Sequence, residues 1–147
     1  MLILGLRNST TQDLAVGDLI NLGTVYRKYD KVGKNCGRYA YLPQSTAVGL
    51  QRAGVYHLTA IITFTAPAAG VVTFQLNENE FVIPSAVVSE TITTATTETR
   101  TVALDFYVLV DSNCVLGSNN AFKSISITNT GVASTVTNVV VNVDKVV

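Results

Sequence analysis

One stretch of alternating residues constrains the fold more than any other part of the chain, Gly54–Glu80, which reads GVYHLTAIITFTAPAAGVVTFQLNENE. Its first half places apolar residues at every second position: Tyr56, Leu58, Ala60, Ile62 and Phe64. This period is typical of a β-strand with one face on a core. The Pro and Gly of Ala66–Gly70 predict a turn, after which the alternation resumes. We predict two strands in a hairpin-like unit.

The remainder of the chain has the same character. A second long strand is predicted over Glu98–Val110, and a return strand is predicted from Phe81 with a break at Pro84. The closing strand, Ser134–Val147, has apolar residues on both faces around Val139–Val141. Helical periodicity is missing throughout, so the sequence predicts an all-β protein, an antiparallel β-sandwich of the jelly-roll type with about ten strands.

The length of 147 residues indicates a single domain with a substantial core. We expect residues 51–147 to form the core of the jelly roll. Residues 1–50 contain further short strand patterns. They are interpreted either as additional strands of the same jelly roll or as an arm that docks onto another molecule.

Charge is sparse: only 14% of residues are charged and the formal net charge is zero. Nucleic-acid binding is not expected, because phosphate contacts require clustered Lys and Arg. No apolar run approaches the roughly 18 residues of a membrane span. A weakly charged surface instead suits burial between subunits, and the two apolar faces of the closing strand favour a neighbouring subunit as its cover.

Residues that could carry catalysis are few and scattered. The single histidine, His57, lies within a predicted strand on its mixed face, and we expect it to be a sheet-surface or interface residue. The carboxylates are dispersed, and no glycine-rich phosphate loop is present. We therefore predict no enzymatic activity, no cofactor and no metal site. The polar residues Asn77, Glu78, Asn79 and Glu80 are expected to form an exposed hairpin tip.

The two cysteines, Cys36 and Cys114, match no metal-ligand spacing. They are either free buried thiols or the two halves of a single disulfide. Four tyrosines of the N-terminal third could form a ligand platform or pack at strand edges and interfaces: Tyr26, Tyr29, Tyr39 and Tyr41.

Residues 51–147 resemble a known group of domains. The shared features are the strand entry Gly54-Val55-Tyr56, the return pattern from Gln75-Leu76-Asn77 to Ile83-Pro84, the Thr-rich segment before the valine-rich strand (Thr91–Val110) and the closing Val-x-Val-x-Lys-Val. In these the chain is similar to the trimeric jelly-roll domains of the tumour-necrosis-factor and complement-globular-head superfamily. The pattern is nearest to the C-terminal domains of collagen-like spore-surface glycoproteins and to related bacteriophage structural proteins.

This resemblance implies a homotrimer packed through the outer face of one sheet. The candidate interface residues are Val140, Val146, Tyr107, Leu109, Ile61 and His57. Because neither a collagen-like stalk nor a secretion signal precedes the domain, we expect a virion component assembled in the host cytoplasm. A capsid decoration or head-fibre protein fits best, with other capsid proteins as partners. The alternative is a receptor- or glycan-binding module on a phage, a bacterium or a spore, at an extracellular location.

Overall fold

A computed structural model describes residues 2–28, 39–40, 46–50, 53–79, 81–95, 98–110 and 123–146. Eleven β-strands lie in these residues, and every strand pairing is antiparallel. In chain order the strands are β1 (Leu2–Asn8), β2 (Gln12–Leu14), β3 (Thr24–Lys28), β4 (Tyr39–Ala40), β5 (Ala47–Leu50), β6 (Gly54–Thr65), β7 (Gly70–Glu78), β8 (Phe81–Ile92), β9 (Arg100–Val110), β10 (Lys123–Asn129) and β11 (Ser134–Lys145).

The strands form two sheets. Sheet A has the order β3-β1-β11-β6-β9, and β2 also pairs with β11. Sheet B has the order β4-β5-β10-β7-β8. Strands that follow one another in the chain mostly belong to different sheets, as expected of a jelly roll. The predicted all-β antiparallel jelly roll is confirmed.

The core lies between the two sheets, where the apolar faces predicted for β6 and β7 meet. Tyr56, Ala60, Ile62 and Phe64 of β6 are completely buried. On β7 the inward residues are Val72, Phe74 and Leu76, all buried. Phe64 and Phe74 meet edge to face across the interior with ring centroids 5.3 Å apart, a favourable geometry for aromatic pairs.

The expected hairpin of β6 and β7 is wrong. β6 pairs with β11 and β9 in sheet A, whereas β7 pairs with β10 and β8 in sheet B. The turn after Thr65 therefore carries the chain from one sheet to the other. Alternation alone cannot distinguish these arrangements, because both bury the same faces of the two strands.

Strands from the first fifty residues are part of both sheets. β1 lies between β3 and β11, and its Leu4 and Leu6 are completely buried. β5 supplies the buried Val48 and Leu50 to the other side of the core. In the described parts of residues 1–50, these strands contribute to the core itself.

Side-chain amides fix the segment that follows β1. The Gln12 side chain accepts a hydrogen bond from the backbone N–H of Asn21 (2.8 Å) and donates one to its carbonyl (3.0 Å). Buried Asn129 donates to the carbonyls of Leu14 (3.3 Å) and Val132 (3.0 Å). These bonds satisfy partly or fully buried backbone groups at the end of β2 and in the connecting segments. They close one end of the sandwich over Ile20 and Leu22, both buried.

Pro84 does not interrupt its strand as expected. β8 runs continuously past it, and the register with β7 shifts between Gln75 and Asn77. The Gln75 side chain donates hydrogen bonds to the carbonyls of Ile83 and Ala86 at this irregularity. A bulge on an edge strand tolerates proline, which has no N–H to donate.

Ser134, at the start of β11, has a buried hydroxyl whose effect on stability can be tested. Its Oγ is buried and finds no hydrogen-bond partner among the residues that the structure describes. A buried unpaired hydroxyl costs about 1–3 kcal/mol, so Ser134→Ala should raise the free energy of unfolding by about 1 kcal/mol. Urea denaturation measures this. The matched control is Ser126→Ala, which removes an acceptor for Asn77 Nδ2 (3.4 Å) and should not stabilise. Loss of stability in Ser134→Ala would contradict the assignment.

Glu98, which precedes β9, binds residues that directly follow β8. The hydroxyl of Thr93 donates to its carboxylate, as do the backbone N–H of Thr94 (2.8 Å) and the guanidinium of Arg100 (3.1 Å). The bond from the Thr93 hydroxyl is the main reason that the pKa of Glu98 falls from 4.5 to about 2. The ionised carboxylate is thus favoured in the folded state.

A depressed pKa stabilises the fold above the unfolded-state value of 4.5, and this contribution disappears as the pH falls towards 2. We expect Glu98→Gln to lose less stability than the wild-type protein over that interval. Urea midpoints recorded from about pH 5 to about pH 2 give the comparison. Thr93→Val, which removes the main donor, should behave in an intermediate way. Parallel curves for wild type and Glu98→Gln would refute the role of Glu98.

Candidate interaction surface

The outward side of sheet A, here called the A-face, gathers the residues predicted to form an interface. Antiparallel pairing puts directly opposed residues on the same side of a sheet. Ile61 is opposite Val140 on one side, and His57 is opposite Tyr107 on the other. Leu109 is opposite Val55, whose carbonyl accepts a hydrogen bond from the N–H of Val146 (2.9 Å). All six predicted interface residues therefore lie on the A-face.

Large apolar side chains on the A-face are open to solvent. Ile61 is 40% exposed, Tyr107 60%, Leu109 52% and Val146 55%. Tyr107 and Leu109 lie on β9 at one end of the A-face, and Val146 follows β11 at the same end. Ile61 lies two rows away from His57, beside the half-buried Val140. Scattered exposed apolar residues are ordinary, but a contiguous group is typical of an interaction site.

The closing strand differs from its prediction. β11 is central in sheet A, between β1 and β6. Its buried side carries Val139, Val141 and Val143. The alternate positions on the A-face are Asn138, Val140, Asn142 and Asp144, of which only Val140 is apolar. The exposed apolar group therefore depends mainly on β6 and β9.

His57 is held in place by its neighbours on the A-face. Its Nε2 contacts Oδ1 of Asp105, and its ring stacks on Tyr107 with centroids 4.7 Å apart and 23° between the planes. Asp144 is its partner in β11. The side chain of Asp105 remains 61% exposed. These contacts hold the side chain of His57 on the outer surface of sheet A.

A contact that the sequence did not predict lies where β1 and β3 form one edge of the A-face. The ring of Tyr26 covers Gly5, where an added Cβ would come within 2.7 Å of the ring. The Tyr26 hydroxyl donates a hydrogen bond to Asn142 Oδ1 (2.5 Å). The signal available in the sequence was Gly5 itself, because glycine within a strand often marks the close approach of another group.

The predicted exposed tip is only partly correct. Asn77 is buried at 6% exposure, because it lies within β7 and its amide donates to the hydroxyls of Ser126 and Thr128 on β10. The prediction of an exposed Asn77 is therefore wrong. Glu78 ends β7 and pairs with Lys123. Asn79 is exposed in the left-handed conformation (φ 50°).

Several predicted residues lie outside the described part of the chain: Glu80, Cys36, Cys114, Tyr29 and Tyr41. For Cys36 and Cys114, free buried thiols and a single disulfide both stay predictions. Among the described residues, no three His, Cys, Asp or Glu side chains cluster as metal ligands would. The same residues include no helix long and apolar enough to cross a membrane.

The outer face of sheet B provides a comparison. Among the sheet B residues whose burial the structure describes, the exposed large apolar side chains are valines, at Val71 (47%), Val82 (55%) and Val87 (43%). Hydroxyl pairs such as Thr73 with Ser89 (2.9 Å) lie between them. Side chains as large as Ile61, Tyr107 and Leu109 are exposed on the A-face, which makes it the better candidate for a contact with another protein.

Solved structures share this architecture, although no protein-family model and no curated protein sequence matches the chain. The globular domain of zebrafish complement 1qA protein aligns with 100% of this chain and 98% of its own, at 8% identity and a TM-score of 0.62. Eiger TNF from S. frugiperda aligns with 99% of this chain and 93% of its own, at 8% identity and a TM-score of 0.60. These similarities show a common fold and do not by themselves assign a function.

A weaker alignment joins the chain to the PRD1 vertex protein P5. It covers 96% of this chain and 95% of that protein, at 16% identity and a TM-score of 0.49. That score is too low to support an inference about this protein.

Proposed function

We propose that this protein is a non-enzymatic structural and interaction protein that assembles into a homotrimer through the A-face. The observation that carries the proposal is the exposed apolar group of Ile61, Tyr107, Leu109 and Val146 on one side of one sheet. Covering these side chains removes apolar area from water, the main driving force for association.

The composition of the A-face supports a stable contact. Threonine, asparagine and small apolar residues dominate it. The charged groups near its apolar part are few, and one of them, Asp105, already contacts His57. Interfaces between subunits are depleted of charge at their centres. Apart from Asp144 and His57, the charged groups of the A-face lie on strands to either side of β11 and β6. The half-buried Val140, opposite Ile61 and Arg7, lies at the middle of the sheet.

A trimer rather than a dimer is favoured by the resemblance of residues 51–147 to trimeric jelly-roll domains. In such an arrangement three copies of sheet A surround one axis, and each copy contacts two neighbours with different parts of the same face. An obligate interface of this kind buries more than about 2,000 Å² in total.

The biological setting that we propose is a bacteriophage particle, where the trimer serves as a capsid decoration or head-fibre protein. The support comes from the sequence resemblance to phage structural proteins and from an expected lack of catalytic chemistry. Mass spectrometry of purified particles from lysates that contain the protein tests the setting. Detection of the chain in stoichiometric amounts would support it, whereas recovery only in the particle-free fraction would oppose it.

Val140→Asp tests the interface. A carboxylate at this position would lose its hydration in the trimer, a cost that the neighbouring Arg7 on β1 does not fully offset. We expect a mass near 15.7 kDa, or aggregation, in place of three times that mass. Light scattering on a size-exclusion column measures the mass, and circular dichroism reports whether the strands are retained.

The matched control is Val71→Asp, which introduces the same group on the outer face of sheet B, where Val71 is 47% exposed. This variant should keep the mass of the wild-type protein. A trimeric Val140→Asp variant would exclude the A-face as the interface. A monomeric wild-type protein would overturn the trimer altogether.

A further inference from the structure

We infer that neighbouring protomers join through two oppositely charged edges of the A-face, with Arg7 and Arg27 of one protomer facing Asp105 of the next. The inference rests on the proposed trimer and specifies which parts of the face contact each other. Its basis is the distribution of charge across sheet A.

The cationic edge is formed by β1 and β3. Arg27 is opposite Gly5, and Arg7 is opposite Thr24 on one side and Val140 on the other. Both arginines are exposed, and neither forms an ion pair with any residue in the described part of the chain. Lys28, at the end of β3, adds another exposed cation to this edge. Arginine is well suited to interfaces, because its planar group binds carboxylates with two parallel hydrogen bonds.

The anionic edge is formed by β9, which is the last strand of sheet A on that side. Asp105 contacts His57 through Oδ1 and is still 61% exposed. The carboxylate can therefore accept further hydrogen bonds from outside the protomer. Tyr107 and Leu109, two of the most exposed apolar residues, lie on the same strand.

The two edges cannot neutralise each other within one protomer. Pairing places Arg27, Gly5, Asn142, Thr59 and Asp105 in one row across the sheet. With about 4.8 Å between adjacent strands, the ends of the row are about 19 Å apart. This far exceeds the roughly 4 Å of an ion pair, so the opposite charges remain available for another molecule.

Threefold symmetry supplies the partner. A ring contact is heterologous, so two different patches of the protomer meet at each interface, and edges that lie away from the axis face each other and not their own copies. If the axis follows the strand direction, rotation about it leaves the level of each row unchanged. Arg27 and Asp105 share a row, and they therefore come to the same level on adjacent protomers. Like charges are kept apart by the same rotation.

Other charges on the A-face leave this pattern intact. Asp144 is central, next to His57. Asp13 lies at the far end of the sheet, where it accepts a hydrogen bond from Thr135 Oγ1 (2.8 Å). Neither residue belongs to the two edges.

Charge reversal tests the inference on the full-length protein. The variants are Asp105→Arg, the pair Arg7→Asp with Arg27→Asp, and the combination of all three. Each of the first two creates like-charged edges, which should raise the concentration at which half of the trimer dissociates by about tenfold or more. The combined variant restores opposite charges and should return to within about threefold of the wild type. Sedimentation velocity over a dilution series gives the midpoints.

Two further variants show whether a changed midpoint reflects the edge contact or a general effect of substitution. Thr91→Arg adds a cation to the outer face of sheet B, and its midpoint should be unchanged. Asp105→Asn keeps the shape of the side chain and its bond to His57 while removing the charge. This substitution should weaken the trimer, and it should also reduce the sensitivity of the trimer to salt between about 0.05 M and about 0.5 M.

The outcomes separate the two proposals. A trimeric wild type with rescue by the combined variant supports the edge contact. A trimeric wild type whose midpoint is indifferent to every reversal, or a combined variant that is no better than its parents, overturns the edge contact and leaves the trimer standing. A wild-type protein that is monomeric at all concentrations overturns the trimer and the edge contact together.

Discussion

The packing of β6 against β7 across the interior is the interaction on which the rest of the structure depends. β6 pairs with β11 and β9, and β7 pairs with β10 and β8. The contact between Phe64 and Phe74 lies at the end where the chain crosses from one sheet to the other. Since each of the two strands carries neighbours on both sides, burial of their facing side chains fixes the separation and alignment of both sheets.

In the irregular parts of the chain, side-chain amides form hydrogen bonds with backbone groups, as neighbouring strands do in the sheets. Gln12 binds the backbone of Asn21, Asn129 binds carbonyls on two separate segments, and Gln75 fills the irregularity beside Pro84. Each amide offers both donors and an acceptor, so one side chain can satisfy several buried backbone groups. The ends of the sandwich thus stay closed without helices in the described residues.

The A-face is a consequence of the core. Once alternate residues of β6, β9 and β11 are committed to the interior, the remaining residues necessarily form rows on the outside. One such row joins Arg27 to Asp105, and another brings His57 beside Tyr107. A cationic edge on one side of the face and an anionic edge that also carries Tyr107 and Leu109 on the other side give a surface that is complementary to a rotated copy of itself. This is why a second copy of the chain is the partner that we propose.

The sequence by itself determined the fold class and the inward faces of the long strands, because a period of two leaves only one way to bury Tyr56 through Phe64. It also pointed to the outward positions of Ile61, Tyr107 and Leu109. Which strands are neighbours was decided only by the tertiary structure, because alternation does not encode pairing partners. For this reason the hairpin of β6 and β7, the break at Pro84 and the exposure of Asn77 were predicted wrongly. The cross-strand row of Arg27 and Asp105 depends on residues 78 positions apart in the chain, and only the register of five paired strands brings them into line.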